Sequence, residues 1–343
     1  MPDTYSLMDH ILKCPHYTEN LGPIGFSRDD RLIQAARIGH SKKRISLIGG
    51  CHADEPIGPH LLRKLVNFLA ELKTDHPLMQ YEWWIIPHIN PDGEAINRSW
   101  YDEDCQYTIA NYLRHVKREL PGDDIEFGFP ISQEEASRAR PEALAAINWW
   151  NTSENEFVLH ASMHGMGFSG GPWFLIDKDW ISRSTHMQNV CSTTSKTLGY
   201  SLHDIERHGE KGFQRIARGF CTRPDSISMR EHFMQLNDHE MADKFLPSSM
   251  QWIRSYSPEA LTMVSEMPLF IIPGVGNEID PDPAYNQWKE NLADLQLKLA
   301  TTDISEPEIN EWAADLGIKA MDLEDQMRLQ WAMICSGLEQ LHC

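Results

Sequence analysis

The sequence predicts an α/β fold: a mixed, largely parallel central sheet with helices on both faces, followed by C-terminal helices. Short apolar runs recur as strand candidates at 44–50, 81–87, 156–163 and 260–265. Between them lie stretches whose apolar residues recur at helical spacing, and this alternation belongs to layered α/β folds. From about residue 284 the chain becomes charged and rich in alanine and leucine, with few turn signals.

The run Arg44-Ile-Ser-Leu-Ile-Gly-Gly50 is a short buried strand stopped by two glycines. Apolar residues at 61, 62, 65, 66, 68, 69 and 72 put one buried face on a helix over 61–72. YEWWIIP at 81–87 is a second strand, and NPDG at 90–93 joins four turn-forming residues. A helix is predicted over 134–150, a strand over 156–163, mixed or helical structure over 192–209 and a strand over 260–265. Two helices follow, near 284–300 and 307–341, the second broken around Gly317. The tryptophan pairs at 83–84 and 149–150 read as core. The chain thus divides into a main domain over 1–283 and a helical extension over 284–343. The extension could close the domain or offer a surface for a homo-oligomer.

Lys plus Arg number 31 and Asp plus Glu 50, for a net charge of −19 over 343 residues. A field of that sign repels phosphate backbones and anionic lipid, so neither nucleic acid nor membrane is expected as a partner. The seven cysteines are scattered and form no CxxC pair. That spacing favours neither a disulfide framework nor a cysteine-built zinc site. MPDTYSLMDHILKC lacks a basic end followed by an apolar run, and no stretch reaches the roughly 18 apolar residues of a membrane span. A soluble protein of a reducing, cytoplasmic compartment is expected. NTS at 151–153 is a formal glycosylation acceptor that is inert in such a compartment.

His52-Ala-Asp-Glu55 follows the first strand, at the sheet edge where open α/β folds place ligands. Residues three apart at a helix start share a face, so an imidazole and a carboxylate can meet on one ion. Zinc favours such donors, and a catalytic site needs three protein ligands and one open position. Taken alone, the same four residues also read as a solvated helix start, where an acid is favourable. A third ligand is offered by His160 or His164 in FVLHASMHG, and their spacing of four puts both on one strand face. His164 ends the apolar run before Gly165 and so reaches the site edge, whereas His160 suits a packed, hydrogen-bonded histidine. Glu266 closes the apolar run at 260–265 and is either an exposed edge charge or a base aimed into the cleft. Cys51 points away from its neighbour His52 in an extended loop, and no separate base is identifiable for it.

In this order the pieces resemble the zinc metallocarboxypeptidase family. Its H-x-x-E motif is matched by His52 and Glu55, and its strand-terminal histidine by His164 in SMHG. Its NPDG turn stands intact at 90–93, and its strand-end glutamate is matched by Glu266 before Met-Pro. IGFSRDDRLI at 24–33 is similar to the opening G-x-S-x-x-x-R segment, and Arg98 to the arginine that polarises the scissile carbonyl. Together the matches run from residue 24 to 270. The resemblance implies one Zn2+ per chain held by His52, Glu55 and His164. It further implies Glu266 as general acid/base, Arg98 at the developing oxyanion, and a small peptide or N-acyl substrate.

One departure stands out. Where the family carries an Asn-Arg pair for the substrate's terminal carboxylate, GDDIEFGFP at 122–130 puts Glu126 and Phe127. Glu126 repels a carboxylate and Phe127 offers it no hydrogen bond, which favours a blocked, basic or amine-bearing end. These two residues, with Tyr256 as a counterpart of the family's flap tyrosine, are the substrate-binding candidates. Arg114, Arg118, Arg138 or Arg140 could instead restore the anchor from a shifted position. A deacylase or amidase is the alternative within enzymes, and a catalytically silent zinc-binding interaction scaffold the alternative outside them. Glu266 argues against silence, since a structural metal needs no base.

Overall fold

A computed structural model describes residues 4–102, 107–120, 122–276, 283–302 and 304–341. Cys105 and Cys343 lie outside them. The strands are β1 (Gly22–Phe26), β2 (Leu32–Ile38), β3 (Arg44–Gly49), β4 (Glu82–Ile86), β5 (Phe157–Ser169), β6 (Trp173–Ile176), β7 (Arg215–Ala217), β8 (Phe220–Thr222), β9 (Leu261–Ile271) and β10 (Lys319–Ala320). Among the described residues they form one sheet in the order β1-β2-β4-β3-β5-β9-β6-β8-β7, with β10 added against β9. Its middle, β4-β3-β5-β9, is parallel. Antiparallel pairing at β2–β4 and β6–β9 flanks that middle.

The parallel middle follows from composition. All residues of β3 and β4 are buried, as strands covered on both faces must be. The cover on one side includes the helices Ile57–Ala70 and Leu323–Gln340, and on the other Pro141–Trp150 and Ser249–Tyr256. The two largest hydrophobic clusters lie accordingly on opposite sheet faces.

Several boundaries differ from expectation, each for a local reason. The first predicted helix begins at Ile57, because Pro56 and Pro59 suit a helix start where no N–H partner is needed. NPDG does not form a free turn. Asn90 caps the helix Pro91–Tyr101, its side chain accepting from Gly93 N at 2.9 Å, with proline at the first helical position. The helix expected over 134–150 splits at Pro141 into Gln133–Ala136 and Pro141–Trp150. The helical part of 192–209 is the end of a helix at Thr185–Thr197.

In the tail, helices run Pro283–Thr301, Glu306–Asp315 and Leu323–Gln340. The chain reverses at Gly317, whose φ of +68° suits glycine. The last helix is buried on nearly every side, and Gln330 Nε2 donates to the His164 carbonyl at 3.3 Å and to Ser265 Oγ at 3.0 Å. It thus props the stretches of β5 and β9 that carry His164 and Glu266. No helix among the described residues is long and apolar enough to cross a membrane.

Candidate active site and metal centre

β3, β5 and β9 run parallel; β3 stops at Gly49, whereas β5 and β9 run on to Ser169 and Ile271, so His164 and Glu266 lie within their strands and not at the ends expected at 163 and 265. Gly49 pairs with Met163, and His164 with Glu266. Beyond β3 the chain turns at Gly50, with φ +72°, where a Cβ would meet the His88 ring at 2.3 Å. Only glycine fits that approach. The turn delivers His52 and Glu55 ahead of the helix Ile57–Ala70, not on its first turn. Tyr101 fastens this loop by donating from its hydroxyl to the Glu55 carbonyl at 3.0 Å.

The three predicted donors converge. Glu55 Oε1 lies 2.6 Å from His52 Nδ1 and Glu55 Oε2 lies 2.8 Å from His164 Nδ1. The two Nδ1 atoms face each other at 3.2 Å. Facing lone pairs beside a buried carboxylate need a positive charge among them, and two nitrogens with one carboxylate are a zinc donor set. These residues therefore fit the ion. A second donor cluster, Cys51, Glu126 and His164, surrounds the other side of the same ring. His160 stands apart. Its Nδ1 faces Ser46 Oγ at 2.9 Å and its Nε2 faces Ser249 Oγ at 3.0 Å, so both nitrogens are engaged.

The charges are strongly coupled. Burial would raise the Glu55 carboxyl, but His52 and His164 override it and hold Glu55 well below the carboxylate range. Burial would likewise lower His164, yet Glu126 and Glu55 push it well above its ordinary value. Glu266 is pushed up to about 8, first by burial and then by the Glu55 charge, against the pull of His164, His52 and Arg118. A carboxyl so placed can both hold and release a proton near neutrality.

His52, His164, Glu266 and Arg118 open onto a cavity of about 280 Å³, whose lining also includes Phe127, Leu175, Phe245 and Val264. Arg98 is not among the described residues lining it. It lies exposed on the helix Pro91–Tyr101. The arginine at the cavity is Arg118, half-exposed, with Nη1 3.2 Å from Asp54 and Nη2 3.7 Å from Glu55. It has no helical or strand pattern around it, so only its basic charge in RHVKRELPG hinted at a role. Tyr256 is not brought to the cavity either. Its hydroxyl donates to the Ser153 carbonyl at 3.2 Å and its ring stacks on Trp252.

Glu126 and Phe127 do line the cavity. Phe127 packs edge-on against Phe245, with centroids 5.3 Å apart. The other arginines are committed elsewhere. Arg140 is held by Glu119 and Glu142 at 2.7 and 2.8 Å, Arg138 donates to the Asp243 carbonyl, and Arg114 to the Ile304 carbonyl. Arg207 and Lys211 add charge at the cavity, Arg207 already gripping Glu210 at 3.0 and 2.9 Å. Burial pushes the Cys51 thiol up to about 11, so it stays protonated at neutral pH.

The opening motif proves to be a clamp. Ser27 Oγ donates to Asp92 Oδ1 at 2.7 Å, and Arg31 Nη1 reaches the same oxygen at 2.8 Å. FSRDDR and NPDG therefore hold each other, 65 residues apart in sequence at Ser27 and Asp92.

A family model described as zinc carboxypeptidase matches residues 4–169. Carboxypeptidase SOL1 of Arabidopsis thaliana is 27% identical over 132 residues, which cover 37% of this chain and 24% of that protein. The alignment thus spans about a quarter of the curated relative's length. A crystal structure described as a metallopeptidase from Shewanella denitrificans has a TM-score of 0.50 at 11% identity, covering 99% of this chain and 89% of that one. A second, from Shewanella amazonensis, has a TM-score of 0.51 at 10% identity, covering 98% and 92%. These two share the fold. His52, Glu55 and His164 all lie inside the segment, 4–169, that matches the zinc carboxypeptidase family model.

Proposed function

We propose that this protein is a zinc-dependent hydrolase of a peptide or other amide bond, with 1–283 as the catalytic unit and 284–343 as its helical extension. The observation that carries the reading is the convergence of His52, Glu55 and His164 one strand away from Glu266, with His52, His164 and Glu266 facing one cavity. Zinc, when bound there, supplies a Lewis acid that polarises the substrate carbonyl and acidifies water. Glu266 takes the proton of the attacking water on its carboxylate and passes it to the leaving nitrogen. Arg118, the cation beside Glu55, stabilises the charge that develops on the carbonyl oxygen. Arg98 is given no part in this reading, because its helix holds it outside the cavity.

A deacylase or amidase of small N-acyl compounds is the second reading, and Glu126 with Phe127 favours it. Neither side chain can grip a carboxylate, and Arg207 is already paired. A reducing, cytoplasmic setting belongs to the same reading, supported by five free cysteines among the described residues. The test is a hydrolysis screen with zinc added, comparing peptides with free and amidated C-termini and N-acyl amino acids. Turnover that a chelator abolishes and zinc restores is the expected result. Stoichiometric zinc with no turnover on any substrate would favour the interaction scaffold.

A further inference from the structure

We propose that Glu126 is a positioning residue for His164, its carboxylate taking the Nε2–H of that ring and leaving Nδ1 to face the metal. The inference rests on reading His52, Glu55 and His164 as a zinc site.

A neutral imidazole carries one N–H and one lone pair, so it cannot donate electrons to a metal from both nitrogens. The surroundings of His164 divide cleanly between the two. On the Nδ1 side stand Glu55 Oε2 at 2.8 Å and His52 Nδ1 at 3.2 Å, both metal donors. On the Nε2 side stand Ser162 Oγ at 2.8 Å and Glu126 Oε2 at 3.0 Å, with the Cys51 thiol beside them. The two donor clusters around His164 thus use opposite nitrogens of one ring. Only the Nδ1 cluster brings a second imidazole, that of His52. The Nε2 cluster is buried and holds a single imidazole, so its carboxylate stands as an acceptor for the ring N–H.

Glu126 is 7% exposed, and its Oε2 has no well-aligned hydrogen bond. A buried carboxylate oxygen is costly unless a donor meets it. The donor nearest to hand is His164 Nε2, 3.0 Å away. The backbone holds Glu126 to this place from both sides. Ile125 N donates to the Cys51 carbonyl at 3.3 Å, and Leu246 N to the Phe127 carbonyl at 3.0 Å. A negative acceptor behind a ligating imidazole fixes its tautomer and makes its free nitrogen a stronger donor. The charge that departs from the family's Asn-Arg pair is, on this view, spent on the metal and not on the substrate's end.

The experiment measures zinc affinity of the full chain by chelator competition, and the visible spectrum of the cobalt-substituted form. Wild type, Glu126→Gln, Glu126→Ala and Ser162→Ala are compared, with thermal unfolding of each apo form as a folding check. Glu126→Ala should bind zinc about 100-fold more weakly and Glu126→Gln, which keeps an acceptor without charge, about 10-fold. The cobalt bands should shift in Glu126→Ala, and Ser162→Ala should stay near wild type. Affinities within about threefold of wild type for both Glu126 variants, with unchanged cobalt bands, would overturn the proposal. So would a loss carried by Ser162→Ala alone. If Glu126→Ala fails to fold, Glu126→Gln decides. A wild-type chain that binds no zinc overturns the zinc-site reading itself, and that result is visible before any variant is compared.

Discussion

Asn97 holds Lys117 from both directions: its Nδ2 donates to the Lys117 carbonyl at 2.8 Å, and its Oδ1 accepts from Lys117 N at 2.8 Å. The same Nδ2 reaches the Ala53 carbonyl at 2.9 Å. One buried amide therefore joins the loop of His52 and Glu55 to the segment that carries Arg118. Asn97→Ala should lower stability by about 1–3 kcal/mol through unsatisfied backbone groups. It should lower kcat/KM as well, by releasing Arg118. Arg118→Met should itself cost about 10²- to 10³-fold in kcat, while Arg98→Met stays within about threefold. Denaturant unfolding and steady-state kinetics check the set. A larger loss for Arg98 would return the oxyanion role to it.

Glu266→Gln should keep the fold and the zinc content but lower kcat by about 10²- to 10⁴-fold. The expectation comes from its place beside His164 across β5 and β9, on the cavity. Metal analysis with kinetics on the same preparation separates the two effects. Wild-type turnover in the variant would remove Glu266 from the mechanism.

Zinc content should collapse in His164→Ala and persist in His160→Ala. His160 instead sets acid stability. Burial lowers it from its ordinary 6.5 to about 3, and lowers His60 to about 3 and His88 to about 4. The unfolded chain takes up protons at these rings near pH 6.5 while the folded chain does not. Stability is therefore intact above that pH and falls as pH drops toward the folded values, by about 1.4 kcal/mol per pH unit for each ring. Denaturant unfolding of the metal-free chain between pH 7.5 and 4.5 should show the decline. His160→Gln, which retains polar contacts with Ser46 and Ser249, should make it shallower by about one ring's share. An unchanged slope would mean that His160 is already protonated in the folded chain.

Matched peptides ending in a free acid or an amide should divide in favour of the amide by about tenfold in kcat/KM, equivalent to ~1.4 kcal/mol. Phe127 presents only an apolar ring, Glu126 offers no positive charge, and Arg138 and Arg140 are bound away from the cavity. A preference for the free acid would assign the anchoring to Arg207 or Lys211, and alanine at whichever of the two is the anchor would then reverse it.

The order of apolar runs by itself determined the parallel middle of the sheet, since a strand buried on both faces must be apolar throughout. It also determined where the metal donors arise. His52 and Glu55 directly follow a glycine-stopped strand, and His164 and Glu266 follow the apolar first halves of two parallel neighbours, so chain direction brings them to the level at which the first strand stops. The short β6, β7 and β8 strands carried too few residues to show a period. Tertiary structure alone decided which neighbouring side chains join the cavity. Arg98 and Asn97 are adjacent on one helix, yet Asn97 turns inward to bonds 20 and 44 residues away while Arg98 faces out. Tyr256 lies ten residues before Glu266 but is drawn off by Ser153 and Trp252, and Glu126 is turned onto His164. Local spacing sets the path of the backbone, whereas a side chain's destination depends on hydrogen bonds and packing with segments far away in sequence.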